Sequence, residues 1–215
     1  MNFVYFLENT KWLGQIASII TILTLPCVFV KLIIYKAKHK IYFDPKETYH
    51  ERQLSNCEGQ PQSVWLHLMV KNKGFELSKK AEAYISEIWK KENNNYKKLS
   101  DFNSPVKLKW AHEARIEPVD IFPREKRRLD VCYIYQNQKK LHLAAYGGFP
   151  SGSIKNIIDF GDYLFVIKVV SENSLTPAQF ILRVEWDGEW KTITGEKYVK
   201  SFRSYKNPVK SFSLY

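Results

Sequence analysis

The stretch WLGQIASIITILTLPCVFV, residues 12–30, carries no charge over 19 residues and is followed at once by KLIIYKAKHK. No other feature of the chain restricts its folding as strongly. At about 1.5 Å of rise per residue the run makes about 28 Å of helix, close to the roughly 30 Å hydrocarbon core of a bilayer. With Leu32 to Tyr35 added and Lys31 snorkelling to the headgroups, it is long enough for a tilted span. Trp12 and Tyr35 fall where interfacial aromatics are expected. Two other readings compete, a cleaved signal peptide and a buried core helix. A signal peptide wants a basic start, a shorter apolar stretch and a small-residue cleavage site. Here MNFVYFLENT holds Glu8 and no base before Lys11, and no A-x-A-like site follows. A retained span over 12–36 is therefore expected, with Pro26 removing one backbone donor inside it.

Charge sets the expected orientation. Lys31, Lys36, Lys38 and Lys40 flank the run on its C-terminal side, against Lys11 and the α-amino group before it. Cationic flanks stay on the cytoplasmic side of a bacterial inner membrane. The reading is thus a single-pass protein with residues 1–11 outside and everything after the span in the cytoplasm. The net charge of +11, from 33 Lys plus Arg against 22 Asp plus Glu, would otherwise suggest nucleic acid. Much of the excess sits beside the span and in the last 25 residues. Cys27, Cys57 and Cys132 are too few and too scattered for a disulfide framework or a zinc site.

From residue 41 onward the apolar pattern has period two, and 15% aromatic content favours strands. VWLHLMVKN sets Val64, Leu66, Leu68 and Val70 against Trp65, His67, Met69 and Lys71. RRLDVCYIYQ is expected to place Leu129, Val131, Tyr133 and Tyr135 together. QFILRVEW sets Phe180, Leu182, Val184 and Trp186 against Ile181, Arg183 and Glu185. DYLFVIKVV is apolar on both faces except Lys168, as a central strand would be. LSKKAEAYISEIWKKENNN fits an amphipathic helix or a strand with Ala81, Ala83 and Ile85 inward; the strand is preferred. Turn signals at 72–74, 92–95, 122–123, 147–153 and 186–190 separate seven or eight strands, a spacing that suits an antiparallel sandwich over 37–190, with a closed β-barrel as the alternative. Residues 191–215 read as a basic, aromatic tail.

IIDFGDYLFVIKVVSEN resembles the F strand of an immunoglobulin-like or fibronectin-type sandwich, where Gly-x-Tyr enters the strand and the tyrosine forms a corner; Tyr163 fills that place. VWLHLMVKNKG with AEAYISEI is similar to a B strand, turn and C strand, and IEPVDIFPREKRRLDVCYI to a turn and strand E. The antibody-type cysteine pair is absent. The whole layout resembles small, uncharacterised bacterial membrane proteins with one N-terminal span and a cytoplasmic β domain. In outline it also resembles antiviral effectors that join a ligand-sensing β domain to transmembrane helices, although those carry several spans.

No phosphate-binding glycine loop, zinc helix or nucleophile elbow occurs, no cofactor is implied, and an enzyme is not expected. His67 and His142 sit mid-strand and are expected to be partly exposed; His112, Glu113, Glu117 and Asp120 cluster in sequence but read as a solvated loop; Cys132 reads as a small buried hydrophobe. The candidate anion or partner contacts are Arg124, Lys126, Arg127 and Arg128 before strand E, and Lys200, Arg203 and Lys206 in the tail. The leading functional reading is a membrane-anchored, non-enzymatic module that binds a protein partner beside the bilayer. The alternatives are a ligand-sensing membrane effector that oligomerises with copies of itself, and nucleic-acid or nucleotide binding.

Overall fold

The computed structural model describes residues 36–44, 46, 49–52, 62–102, 104–111, 117–145, 156–190 and 192–198, with Gln15, Ser18, Thr24 and Val28. Those four residues are helical, and among the described residues no helix is long and apolar enough to cross a membrane. Apart from those four and Lys36, the span expected over 12–36, including Lys31 and Pro26, lies outside the described residues, as do Lys200, Arg203 and Lys206 of the tail.

Thirteen strands are formed among the described residues. The first seven are β1 His39–Tyr42, β2 Tyr49–Arg52, β3 Ser63–Asn72, β4 Ser78–Glu92, β5 Asn95–Lys98, β6 Val106–Lys107 and β7 Val119–Ile121. The rest are β8 Lys126–Tyr135, β9 Leu141–Leu143, β10 Ile157–Ile158, β11 Gly161–Val170, β12 Ala178–Trp186 and β13 Thr194–Lys197. They make two antiparallel sheets. One runs β1-β3-β8-β9-β10, with β2 sharing the edge of β3; the other runs β13-β12-β11-β4-β5, with β6 and β7 along the edge of β4. Two sheets stacked in this way form a β-sandwich. Segment 106–111 passes from one sheet to the other: Val106 pairs with Ile85 in β4, and Leu108 and Trp110 bridge to Ala145 and Leu129. The Trp110 indole donates to the carbonyl of Ala81 at 3.2 Å and pins that corner.

Period two decides which faces meet. Val64, Leu66, Leu68 and Val70 of β3 pack against Ala81, Ala83 and Ile85 of β4 and Phe180, Leu182, Val184 and Trp186 of β12 in one buried cluster. The ambiguous stretch after residue 77 is thus a strand, with its alanines where the opposing sheet comes close. β11 lies between β12 and β4, and both of its faces are packed: Phe165, Ile167 and Val169 join the main core, while Leu164 and Val166 enter a second cluster with Trp89 and Tyr96.

The sequence misplaces one strand face. Leu129, Val131, Tyr133 and Tyr135 do not lie together. The β3–β8 register shifts after Leu66, which pairs with Cys132 while His67 pairs with Asp130, leaving Val131 as an extra residue. A bulge of this kind flips every later side chain. Cys132 and Ile134 therefore face the core beside Leu129, and Tyr133 and Tyr135 point away from it, half-buried. Thr194–Lys197, read as tail, forms the edge strand β13 against β12.

Candidate functional site

The chain enters the sandwich at the end formed by segment 36–38 and the loops at 73–77, 122–125 and 171–177. Asn72 organises this end. It is fully buried, and both halves of its amide are used. The Nδ2 group donates to the carbonyls of Glu76 at 2.8 Å and Ile121 at 3.0 Å, while Oδ1 accepts from the N–H of Gly74 at 2.9 Å and of Lys38 at 3.3 Å. Its backbone exchanges two further bonds with the 124–125 turn. One side chain thus fixes the entering segment and two loops. The sequence flags NKG only as a turn, since asparagine's local hydrogen bonding suits turns. The reach of Asn72 to Ile121, 49 residues away, carries no local signal.

The entering segment is held closely. Ala37 is buried and bridges Ser174, and the N–H of Lys73 donates to the carbonyl of Lys38 at 2.7 Å. A Cβ on Gly74 would lie 2.1 Å from the carbonyl oxygen of Lys36, so only glycine allows the approach. On the third loop, Asn173 Nδ2 donates to the carbonyl of Leu77 at 2.8 Å and its Oδ1 accepts from the N–H of Lys79 at 3.0 Å. His39 is buried, with Nε2 2.7 Å from the Ser78 hydroxyl, and burial lowers its pKa. A cavity of roughly 430 Å³ lies between Lys36, Lys38, Lys73 and Leu175.

The expected cations divide. Lys36 is half-buried and Lys38 exposed; Lys40 is exposed, with its ammonium 5.9 Å from the centre of the Tyr42 ring. Arg124 and Lys126 are exposed. Arg127 and Arg128 are half-buried, and Arg127 pairs with Glu125 at 2.7 Å, so these two are not free surface cations. Arg124 has φ of 67°, where glycine is usual. It is the third residue of a turn closed by the Glu125 N–H to the Phe122 carbonyl at 3.1 Å, with Pro123 second, the pattern of a type II turn.

At the opposite end the Tyr163 hydroxyl donates to the carbonyl of Asp159 at 3.0 Å, across the turn into β11. The ring is buried and the phenol's pKa is pushed up to about 12, chiefly by burial. A cavity of roughly 680 Å³ opens there, lined by Lys90, Phe102, Lys140, Asn156, Asp159 and Tyr163 among others. Lys140 pairs with Asp159, and the Lys90 ammonium lies 5.7 Å from the centre of the Tyr163 ring.

Of the expected half-exposed histidines, His142 conforms: it stacks on Tyr133 at 5.1 Å, and its Nε2 is 2.7 Å from Gln138 Oε1. His67 does not. Its side chain is fully buried, 2.6 Å from the Asp130 carboxylate, because the bulge at Val131 sets Asp130 across from it while Trp65 stacks beside it. Cys132 is fully buried, and burial raises its thiol pKa. His112 and Glu113 lie outside the described residues; among the described residues no group of three His, Cys, Asp or Glu side chains could hold a metal.

On the outer face of the second sheet Arg183 reaches Asp162 at 2.7 Å and Glu196 at 2.8 Å, and the Tyr96 hydroxyl donates to Asp162 at 2.7 Å. Burial works to raise the Asp162 pKa, but the bonds from Arg183 and Tyr96 outweigh it and the net shift is downward. Asp162 thereby holds Arg183 in place, and Arg183 in turn ties β12 to Glu196 of β13. No family model, curated protein or solved structure matches this chain.

Proposed function

We propose that this chain is a membrane-anchored, non-enzymatic scaffold, in which residues 12–36 cross the bacterial inner membrane once and the sandwich, on the cytoplasmic side, holds a protein partner at the bilayer. One observation carries this reading: the sandwich receives the segment that follows the apolar run without slack. Ala37 is buried and bridged, and Lys38 is bonded to Lys73 and Asn72. A span ending at residue 36 would therefore set the sandwich directly against the headgroups in one orientation, as suits a module that presents a defined surface. The neighbour relations support an immunoglobulin-like sandwich: β1, β3 and β8 follow the order A, B, E, and β12, β11 and β4 the order G, F, C. β9 departs from it, lying beside E but following E in the chain. The test has two parts. The full chain should stay with bacterial inner membranes through an alkaline wash, and a reporter fused after Tyr215 should be active only in the cytoplasm. Cross-linking in those membranes should then give a stoichiometric partner; a chain released by the wash, or a reporter active only outside, overturns the reading.

The ligand-sensing effector is the second reading, and the distal cavity favours it, with Phe102 and Tyr163 beside Lys90 and Lys140. Asp101 and Asp159 in the same lining weigh against a densely charged anion. A nucleotide that protects the sandwich from thermal unfolding, an effect lost in Lys90→Gln, would favour this reading over the scaffold.

A further inference from the structure

We infer that the entry end of the sandwich is itself a docking face for anionic lipid. Five large apolar side chains are exposed among the described residues of the sandwich, and three of them, on three separate loops, stand at this end: Phe75 at 56%, Phe122 at 62% and Leu175 at 60%. An isolated exposed hydrophobe needs no explanation, but three converging on one end mark an interaction surface. Their loops are knitted to one another and to the entering segment through Asn72 and Asn173, so the tips are held together rather than scattered. Around them Lys38, Lys73, Arg124 and Lys126 are exposed. The same loops hold three acids: Glu125 is engaged by Arg127 and the N–H of Phe122, Glu172 by Lys80, and Glu76 accepts from Asn173 Nδ2 at 3.4 Å. Apolar tips ringed by cations match the depth profile of a bilayer surface, where aromatic rings settle at headgroup level and Lys or Arg meets anionic phosphates. Arg124 adds a further mark, because an exposed arginine occupies a left-handed turn position that glycine would fill with less strain.

This inference rests on the anchor reading, since the chain arrives at this end from residues 12–36, and the two can be scored apart. The full chain, with Cys27→Ser and Cys57→Ser and the buried Cys132 retained, receives one new cysteine by Phe122→Cys, Leu175→Cys or, at the distal end, Phe160→Cys. Each is labelled with an environment-sensitive fluorophore in nanodiscs of phosphatidylcholine alone or mixed with phosphatidylglycerol. Circular dichroism confirms folding of each variant. The face predicts blue-shifted emission and quenching by nitroxide-labelled lipid at 122 and 175, stronger in the anionic disc, with 160 unaffected. Lys73→Gln and Arg124→Gln, which leave the anchor intact, should each lower the docked-to-undocked ratio about fivefold. A chain retained in the disc whose 122 and 175 probes stay as wet as 160 overturns the docking face while leaving the anchor. Equal shifts in both discs overturn the assignment to anionic lipid. A chain lost from the disc that still shifts both probes on preformed anionic vesicles supports the face and overturns the anchor.

Discussion

Asn72 shows how much of this molecule hangs on single polar side chains. With two donors and two acceptor positions filled in a fully buried site, it leaves no spare capacity. Asn72→Ala strands four backbone groups, and a cost of about 3 kcal/mol is expected from the lost bonds and the desolvation left behind. Asn72→Asp should do no better, because it turns a carboxylate oxygen toward the carbonyls of Glu76 and Ile121. Urea unfolding of the full chain in detergent, followed by tryptophan emission, measures both; a loss under about 0.5 kcal/mol for either would mean that the loops hold themselves. Tyr163→Phe is milder. Its ring stays buried and only the bond to Asp159 goes, so about 1 kcal/mol is expected in the same assay.

At the scale of elements, turn chemistry is as decisive as pattern. β4 and β5 are joined by Asn93 and Asn94 alone, with Glu92 opposite Asn95 and φ of 46° and 66° at the two asparagines. A two-residue loop with both φ values positive is the type I′ hairpin, which asparagine tolerates and glycine prefers. Asn94→Gly should thus raise stability by a few tenths of a kcal/mol, and Asn94→Val should lower it by about 1–2 kcal/mol because its branched Cβ meets the following carbonyl. Equal urea midpoints for the two variants would show that the hairpin turns in some other way. The sequence discloses this turn through ENNN, and it discloses β4 through Ala81, Ala83 and Ile85, because one-residue alternation is a local property. It does not disclose the bulge at Val131. A single extra residue leaves the apolar count of RRLDVCYIY unchanged while exchanging the faces of Tyr133 and Cys132, so the burial of His67 against Asp130 depends on a register that only pairing with β3 sets. The entry end is legible only in fragments: NKG and FP as turns, with Lys36, Lys38 and Lys40 before them and Arg124, Lys126, Arg127 and Arg128 after. That these loops meet follows from the long-range partners of Asn72 and Asn173.

Across the whole molecule, the phenols of both sheets predict how the fold fails in alkali. Burial, with Glu82 accepting from its hydroxyl, pushes Tyr84 up to about 12; burial pushes Tyr133 to about 12, helped by Tyr135, and Tyr163 to about 12, helped by the nearby Asp159 carboxylate. The unfolded chain releases these protons near pH 10, so between roughly pH 10 and 12 the folded state binds more protons than the unfolded one and stability falls as pH rises. Below pH 10 the contribution is fully present. Each such phenol adds about 1.4 kcal/mol per pH unit to the slope inside that window. Urea midpoints at intervals from pH 9 to 12 should therefore be level at first and then drop steeply. Tyr163→Phe removes one titrating phenol. The variant begins less stable by its lost hydrogen bond, yet its midpoint should fall less steeply above pH 10, so the two curves converge. Parallel curves would place the titration on other tyrosines and leave Tyr163 as a hydrogen-bonding corner alone.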